Sequence, residues 1–277
     1  MAQDSERIDL LKQHIEATGK NWDSMGRWEK KALAAVATQG DLNKAARGGP
    51  NGAGTSSAGL LFCGNTGSGV YSSPHTDEWN GSSWSAGGDV EENKTEQMGW
   101  GTSTSALVTG GYGEWNGSSY TSHTNTQTYN GTSWSADVDL SAARSHCGCC
   151  GVGENSGLIV NGEAGEGGSK LNETQEFNGT SWSSGGTAVI AELKQINTSC
   201  CGTVNAAFLT GGYQYESTNN EIANTSNYNG TAWSAGESLA TARRNTSTVG
   251  TQTTAFAAGG VNAAGSYITS TEEYTEA

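Results

Sequence analysis

The sequence predicts an all-β fold, a five-bladed β-propeller with a short N-terminal α-helical segment. Three observations predict it. A motif of an aromatic residue, Asn-Gly, Ser or Thr and then Trp recurs about every 50 residues. An apolar run that ends in a small pair recurs at the same spacing, and a strand of small residues containing a glycine precedes it. Four short strands in each repeat of this length are typical of a propeller blade.

Each Asn-Gly motif contains its own turn signal. Asn-Gly between strand residues favours a type I′ turn, in which both central residues have positive φ. We therefore expect two antiparallel strands joined by a tight turn, with an aromatic residue on either side of it. The copies are Trp79–Ser85, Tyr129–Ser135, Phe177–Ser183 and Tyr228–Ser234.

The apolar runs define five units, and a basic residue precedes each unit. The regular spacing of these cations favours a structural role, in which they bond to loop carbonyls or carboxylates, over a functional ring around the channel. Lys194 is one place out of register. The runs are Leu60–Gly64, Leu107–Gly111, Leu158–Gly162, Phe208–Gly212 and Phe256–Gly260. The basic residues are Arg47, Lys94, Arg144, Lys194 and Arg243.

The fifth unit differs from the others at its end. It reaches Glu272-Glu273-Tyr274 without a following Asn-Gly or Trp strand. Propellers often complete the last blade with a strand from the other terminus, but residues 41–46 do not have a strand pattern. The last blade is therefore expected either to have three strands or to take its edge from a neighbour.

Residues 1–46 have a different composition from residues 47–277 and are predicted to form a separate segment. Apolar residues recur at helical spacing in two short stretches. Two such helices are too short to bury both apolar stripes by themselves, so they either cap the propeller or dock on a partner. The distinct composition favours docking. The predicted docking residues are Ile8, Leu11, Ile15, Trp22, Met25 and Trp28.

Charge restricts the partners. Residues 1–46 hold equal numbers of acidic and basic residues, so the net charge of −14 falls on residues 47–277. An acidic body argues against nucleic acid and against an anionic membrane surface. The polar start Met1–Glu6 predicts no signal peptide, and no apolar run reaches about 18 residues. We expect synthesis in a reducing cytoplasm, with the cysteines as thiols.

The order of a basic residue, Gly-Gly, an aromatic residue and Trp resembles the kelch repeat over residues 47–277. Asn-Gly stands where kelch units usually carry an acidic residue and a longer turn, which implies compact hairpins. The whole chain resembles kelch-like structural proteins of tailed phages, particularly marine phages. That resemblance implies a virion protein, attached to tail, neck or capsid through residues 1–46.

No catalytic constellation is found in the sequence. An oxidase of the kelch type needs two His and two Tyr on one copper ion, and the histidines of the array fall in different units. Arg144, Arg243 and Arg244 are too few for a sialidase-like site. No phosphate loop or nucleophile elbow occurs. The protein is therefore predicted to be non-enzymatic, without metal or cofactor. The three histidines of the array are His75, His123 and His146.

Cysteines cluster on the innermost strands of two neighbouring units, so we expect their side chains to come close near the axis. Metal-ligand spacing is absent, and adjacent cysteines on a strand point to opposite faces. Small buried apolar filler is the favoured interpretation. The clustered residues are Cys147, Cys149, Cys150, Cys200 and Cys201.

Loops that differ between units are the remaining candidates for binding. The loops after the Gly pairs all lie on one side of a propeller, opposite the Asn-Gly turns. Aromatic residues in two of them suit a sugar or a protein surface, although a self-packed hairpin is equally compatible in the second unit. The loop Gly162–Lys170 is interpreted as a flexible connection. The candidate ligand-binding residues are Trp115, Tyr120, Tyr213 and Tyr215.

The favoured function is a non-enzymatic virion structural protein that contacts other virion proteins and can face the host. The alternative is a carbohydrate- or receptor-binding propeller, with a host surface glycan as ligand. A galactose-oxidase-like or sialidase-like enzyme comes third. A homo-oligomer is compatible with each of these.

Overall fold

A computed structural model describes residues 41–42, 48–66, 72–115, 120–164, 169–187, 195–196, 198–214 and 220–276. These residues belong to one compact unit, Asp41–Ala277. Their regular secondary structure is entirely β, and no helix that could cross a membrane is found among them. The predicted N-terminal helices and their docking residues Ile8, Leu11, Ile15, Trp22, Met25 and Trp28 lie outside the described residues.

The five units form five antiparallel sheets, as the repeats predict. Blade 1 contains β1 (Asn51–Thr55), β2 (Ala58–Phe62), β3 (Thr76–Trp79) and β4 (Trp84–Ala86). Blade 2 contains β5 (Met98–Thr102), β6 (Ser105–Thr109), β9 (Thr126–Tyr129) and β10 (Trp134–Ala136). Between its middle strands, β7 (Tyr112–Trp115) and β8 (Tyr120–Ser122) form a separate hairpin.

Blades 3 and 4 repeat this order and also carry short extra strands. Blade 3 contains β11 (Gly148–Gly151), β12 (Gly157–Val160), β15 (Thr174–Phe177) and β16 (Trp182–Ser184), with the pair β13 (Glu163–Ala164) and β14 (Ser169–Lys170). Blade 4 contains β18 (Ser199–Thr203), β19 (Ala206–Thr210), β22 (Thr225–Tyr228) and β23 (Trp233–Ala235), with β17 (Gln195–Ile196), β20 (Tyr213–Gln214) and β21 (Asn220–Glu221).

Blade 5 has three strands: β25 (Ser247–Gly250), β26 (Thr254–Ala258) and β28 (Thr271–Thr275). The short strands β24 (Arg243–Arg244) and β27 (Val261–Asn262) pair beside it. The last unit thus has three strands among the described residues. The innermost strands β1, β5, β11, β18 and β25 contact one another in that order, which gives the five-bladed propeller arrangement.

The Asn-Gly hairpins form as predicted, but the predicted type I′ turn is wrong. Trp79 pairs directly with Trp84, so the connection has four residues, and of these only Gly81 has positive φ, at 92°. The Asn80 side-chain oxygen accepts from the amides of Ser82 and Ser83, each at 2.9 Å. The asparagine therefore caps the loop through its side chain instead of occupying a left-handed turn position.

Each blade packs its two sides against different neighbours. We call the side towards the next blade the forward face and the side towards the preceding blade the rear face. Leu60 and Phe62 of the blade 1 forward face, for example, share a buried cluster with Val108, Tyr129 and Trp134 of the blade 2 rear face. Corresponding clusters join blades 2 and 3, 3 and 4, and 4 and 5.

Hydrogen bonds repeat along with this packing. In three of the four Trp strands the indole N–H donates to the first threonine of the preceding blade's third strand: Trp134 to Thr76 at 2.9 Å, Trp182 to Thr126 at 3.3 Å and Trp233 to Thr174 at 2.7 Å. The repeated Trp is therefore an inter-blade core residue that also supplies a directed polar contact.

The repeated cations are buried inside their own units. Arg243 is fully buried, and its guanidinium donates to the carbonyls of Gly259 at 3.1 Å and Ser270 at 3.0 Å and pairs with Glu272. Lys94 donates to Asn125, and burial lowers the pKa of its ammonium to about 8. The structural role predicted for these cations is confirmed for Lys94 and Arg243, whereas Arg47 and Lys194 lie outside the described residues.

The clustered cysteines meet across the interface of blades 3 and 4, as expected. The Sγ atoms of Cys150 and Cys200 are 3.3 Å apart in the buried cluster. No disulfide joins any of the six cysteines, all of which are described. Burial raises the pKa of Cys147 to about 12 and that of Cys149 to about 11, which makes these thiols poor nucleophiles and poor metal ligands at neutral pH.

Candidate binding site at the axial mouth

A ring of left-handed residues marks one mouth of the propeller. The residue two positions before the innermost strand has positive φ in blades 1, 2, 3 and 5: Gly49 at 59°, Glu96 at 51°, His146 at 56° and Asn245 at 52°. Most side chains cost roughly 1–2 kcal/mol per residue in this conformation, whereas glycine avoids the cost and asparagine tolerates it. Three of the four described copies nevertheless carry a polar side chain.

The bend has a local cause. The residue before each ring position pairs with the residue that follows the Gly pair, so the chain must turn sharply to enter the innermost strand. These pairs are Gly48 with Asn65, Thr95 with Tyr112, Ser145 with Glu163, Ile196 with Tyr213 and Arg244 with Val261. The sequence before and after each blade thus fixes the backbone of the mouth, while the side chain at the bend is free to differ.

The ring side chains line a cavity of about 170 Å³. It is bounded by Glu96, Gln97, His146, Cys147, Thr198 and Asn245, which come from four different blades. A site shared by four blades lies on the propeller axis. The volume equals that of five or six water molecules at roughly 30 Å³ each. It therefore has room for one small polar group, such as a single sugar ring.

A buried carboxylate holds one wall of this cavity in place. Glu163 is 4% exposed, accepts from the Tyr112 hydroxyl, and pairs with Lys170. His146 Nδ1 lies 3.1 Å from Glu163 Oε1, and His146 Nε2 lies 3.6 Å from Glu96 Oε2. Lys170, Glu163, His146 and Glu96 thus form a chain of charged or titratable groups that ends at the cavity wall.

The charge of Glu163 is strongly favoured. Burial opposes ionisation of this carboxyl, but hydrogen bonds from His146, Lys170 and Tyr112 outweigh burial and lower its pKa to about 2. A carboxylate that stays ionised accepts a proton-bearing nitrogen, so it orients the His146 ring with Nδ1 inward. The Tyr112 ring lies edge-on to the same imidazole at 5.3 Å. His146 consequently presents Nε2 towards Glu96 in a fixed orientation.

Two of the four predicted aromatic residues, Tyr120 and Tyr213, have described side chains, and they lie in separate clusters on this side of the propeller. Tyr120 stacks on Tyr112 in the β7–β8 hairpin, with 5.9 Å between the ring centroids. This loop therefore forms the self-packed hairpin that the sequence left open as an alternative. Tyr213 lies under Arg244, whose guanidinium carbon is 4.9 Å from the ring centroid. Trp115 ends β7, but its side chain lies outside the described part, as does the whole of Tyr215.

Sequence reasoning missed the residues that organise the cavity. The loop Gly162–Lys170 was interpreted as a flexible connection, and that interpretation is wrong for its two described ends, since Glu163 pairs with Lys170 in β13 and β14. The available signal was register: Glu163 occupies the position of Tyr112 and Tyr213 after the Gly pair. The other units carry Asn65, Tyr112, Tyr213 and Val261 there, so Glu163 is the one acidic residue at this repeat position.

The histidines each pair with carboxylates of their own surroundings. His75 Nδ1 lies 3.2 Å from Asp89, and His123 Nδ1 lies 2.7 Å from Glu92. Burial lowers the pKa of His123. Among the described residues no group of three or more His, Cys, Asp or Glu side chains is arranged to hold a metal ion.

Comparison with known proteins supports the fold and goes no further. No protein-family profile matches the chain, and no curated protein matches it. The solved structure of YjhT is similar over 81% of this chain and 80% of that chain, with a TM-score of 0.70 and 13% sequence identity. At that identity the likeness concerns the fold alone. The chain is a five-bladed β-propeller, similar in architecture to the propeller protein YjhT.

Proposed function

We propose that the protein is a non-enzymatic binding propeller that holds a small polar ligand, the terminal sugar of a glycan, in its axial mouth. The observation that carries this proposal is the ring of left-handed residues. Glu96 occupies a strained conformation that glycine occupies in blade 1, and Glu96 and Asn245 both line the cavity. Strain retained at a cavity wall is typical of a site in which the side chain is used.

The chemistry of the wall suits hydroxyl groups. Glu96 and Gln97 supply acceptors, and Gln97, Thr198 and Asn245 supply groups that can donate or accept. His146 is held at a defined angle by Glu163. Preorganised polar groups lose little freedom on binding, which favours a small ligand that makes few contacts.

A glycan array with the full chain tests this function. We expect binding to a restricted set of terminal sugars, and loss of that binding with Glu96→Ala. Val152→Ser is the matched control, because Val152 is an exposed side chain in the β11–β12 turn, on the opposite side of the propeller. Equal binding by Glu96→Ala and by the control places the ligand elsewhere and contradicts the proposal.

We propose further that this propeller is carried on a phage particle and attached to a tail, neck or capsid protein through residues 1–46. The support is the resemblance of the whole chain to kelch-like phage structural proteins, together with the apolar helical spacing of Ile8, Leu11 and Ile15 and of Trp22, Met25 and Trp28. An acidic propeller is then the part that faces outward, towards a host surface glycan.

Particle composition tests the attachment. Phage that encode Trp22→Glu together with Trp28→Glu should lose the protein from purified particles while the infected cell still contains it in folded form. Val152→Ser again serves as the control. Particles that carry the double variant at normal copy number would show that these residues do not attach the propeller.

A further inference from the structure

The forward face of blade 5 is exposed where every other forward face is buried. Phe256 is 43% exposed and Val249, its partner across β25 and β26, is 54% exposed. The residues at the position of Phe256 in the other blades are at most 2% exposed: Leu60, Leu107, Leu158 and Phe208. In those blades the next rear face covers the position.

The rear face of blade 1 has the complementary property. Trp79 stands at the position of Tyr129, Phe177 and Tyr228, which are each 1% exposed, but Trp79 is only partly buried. It packs against Trp84 of the same blade at 5.4 Å. Blade 1 therefore has two aromatic rings on its rear face. In each of the other blades the rear face packs against the apolar forward face of the preceding blade.

One hydrogen bond of the inter-blade series is also missing between these two faces. Trp134, Trp182 and Trp233 donate to the first threonine of a third strand in the preceding blade. By register, the indole N–H of Trp84 would complete the series with Thr271, the first residue of β28. Thr271 is exposed at this edge. The donor Trp84 and the acceptor Thr271 are thus both present in the chain, but they do not form this hydrogen bond with each other.

We propose that the forward face of blade 5 docks on the rear face of blade 1 of a second copy of this chain. Phe256 and Val249 then pack against Trp79, and Trp84 donates to Thr271, so that the contact repeats the interface found four times within the propeller. The second copy is the occupant whose chemistry the structure specifies, because the chain itself contains the matching face. Such a contact joins two different surfaces and assembles copies head to tail.

Sedimentation velocity of the full chain over a wide concentration range tests the inference. Wild type should associate as concentration rises. Phe256→Glu should abolish association at every concentration tested and leave the far-ultraviolet spectrum unchanged, because the side chain is already exposed. Val152→Glu is the matched control, since it puts the same charge on another exposed valine and should associate like wild type.

Mixing two blocked variants identifies the surfaces. Phe256→Glu keeps an intact blade 1 face and Trp84→Glu keeps an intact blade 5 face. Each variant should be monomeric alone, and a mixture should give a heterodimer and nothing larger. Should Trp84→Glu fail to fold, Thr271→Val provides a near-isosteric change that removes the acceptor and should weaken association about fivefold.

Three results overturn the inference. One is a wild type that remains monomeric throughout the concentration range, which would mean that the two faces stay uncovered or meet within one chain. Another is a Phe256→Glu variant that associates like wild type, which would assign self-association to another surface, such as residues 1–46. The third is a mixture of blocked variants that behaves as the sum of its monomeric parts.

Discussion

The interfaces between blades and the axial mouth follow opposite rules. At the interfaces, equivalent positions of successive blades hold similar residues: Leu107, Leu158 and Phe208 are all buried against the next blade. At the mouth, equivalent positions share a backbone conformation but hold unlike residues, with glycine in blade 1 and Glu96 in blade 2. The repeat therefore constrains side chains at the interfaces and only the backbone at the mouth.

This difference separates residues that stabilise the fold from residues that are proposed to bind a ligand. A side chain enclosed by a neighbouring blade contributes stability through burial, and the same solution serves in each unit. A side chain on the mouth meets solvent or a ligand, so nothing in the packing forces it to recur. Substitutions at interfaces should accordingly change stability, whereas substitutions at the mouth should change binding or pH dependence with small changes in stability.

The largest expected effect is at a sealed interface. Phe208→Ala should lower the free energy of unfolding by about 3–4 kcal/mol, because the ring is 1% exposed and its removal leaves a cavity against Tyr274. Phe256→Ala, at the same position of blade 5, should cost less than about 1 kcal/mol in the monomer. Urea denaturation of both variants measures the difference. Similar losses would show that Phe256 is enclosed in solution.

The next largest effect concerns the mouth and depends on pH. The pKa of Glu163 is about 2 in the folded chain, below its ordinary value of 4.5, so its contribution is fully present above pH 4.5 and is lost as pH falls towards 2. We expect about 2 kcal/mol of acid sensitivity, allowing for solvent screening. Denaturation of Glu163→Gln at pH 7 and pH 3 should show a smaller difference than wild type.

Glu276→Gln is the control for this titration, because Glu276 lies at the exposed end of the chain. It should retain the acid sensitivity of the wild type. If Glu163→Gln and Glu276→Gln have the same pH dependence, the hydrogen bonds from Tyr112, Lys170 and His146 do not hold the Glu163 charge, and the mouth is less organised than its geometry indicates.

A smaller effect reports a single inter-blade hydrogen bond. Trp134→Phe removes the indole N–H that donates to Thr76 and should cost about 1 kcal/mol more than Trp84→Phe in the dilute monomer, where Trp84 has no such contact. Trp134 also packs against Phe62 across the interface, so thermal unfolding of the pair measures the bond together with that contact, and about 1 kcal/mol is the lower bound of the difference. Equal costs would contradict a directed role for the repeated indole.

Periodicity was enough to predict the interfaces. Gly101, Leu107, Tyr129 and Trp134 recur with their equivalents in every or nearly every unit, and a residue that recurs at fixed spacing is read directly from one sequence. The turn type was not predicted correctly, because Asn-Gly is compatible with more than one loop length. The choice depends on whether the Asn80 side chain caps the loop, which is a contact that composition does not reveal.

The mouth could not be predicted, because its residues meet through space. Glu163 contacts Tyr112, which is distant in sequence, and His146, which precedes the blade. Locally, Gly162–Lys170 has the glycine content of a flexible loop. Tyr112 of the preceding blade donates to Glu163, so this carboxylate has its full set of partners only when two blades are assembled.

The smallest expected effect has the opposite sign from the others. Glu96→Gly should raise the free energy of unfolding by about 0.5 kcal/mol, because glycine relieves the left-handed strain. Glycine also increases the conformational entropy of the unfolded chain, which offsets part of this gain. Gly49→Ala should lower it by a similar amount, since no atom lies within 4 Å of the added Cβ and only the backbone conformation is strained. Thermal unfolding of both variants, together with glycan binding by Glu96→Gly, measures what the side chain contributes. A variant that is more stable and no longer binds identifies Glu96 as a residue kept for its ligand. A less stable variant would show instead that the Glu96 side chain stabilises the fold, as the side chains at the interfaces do.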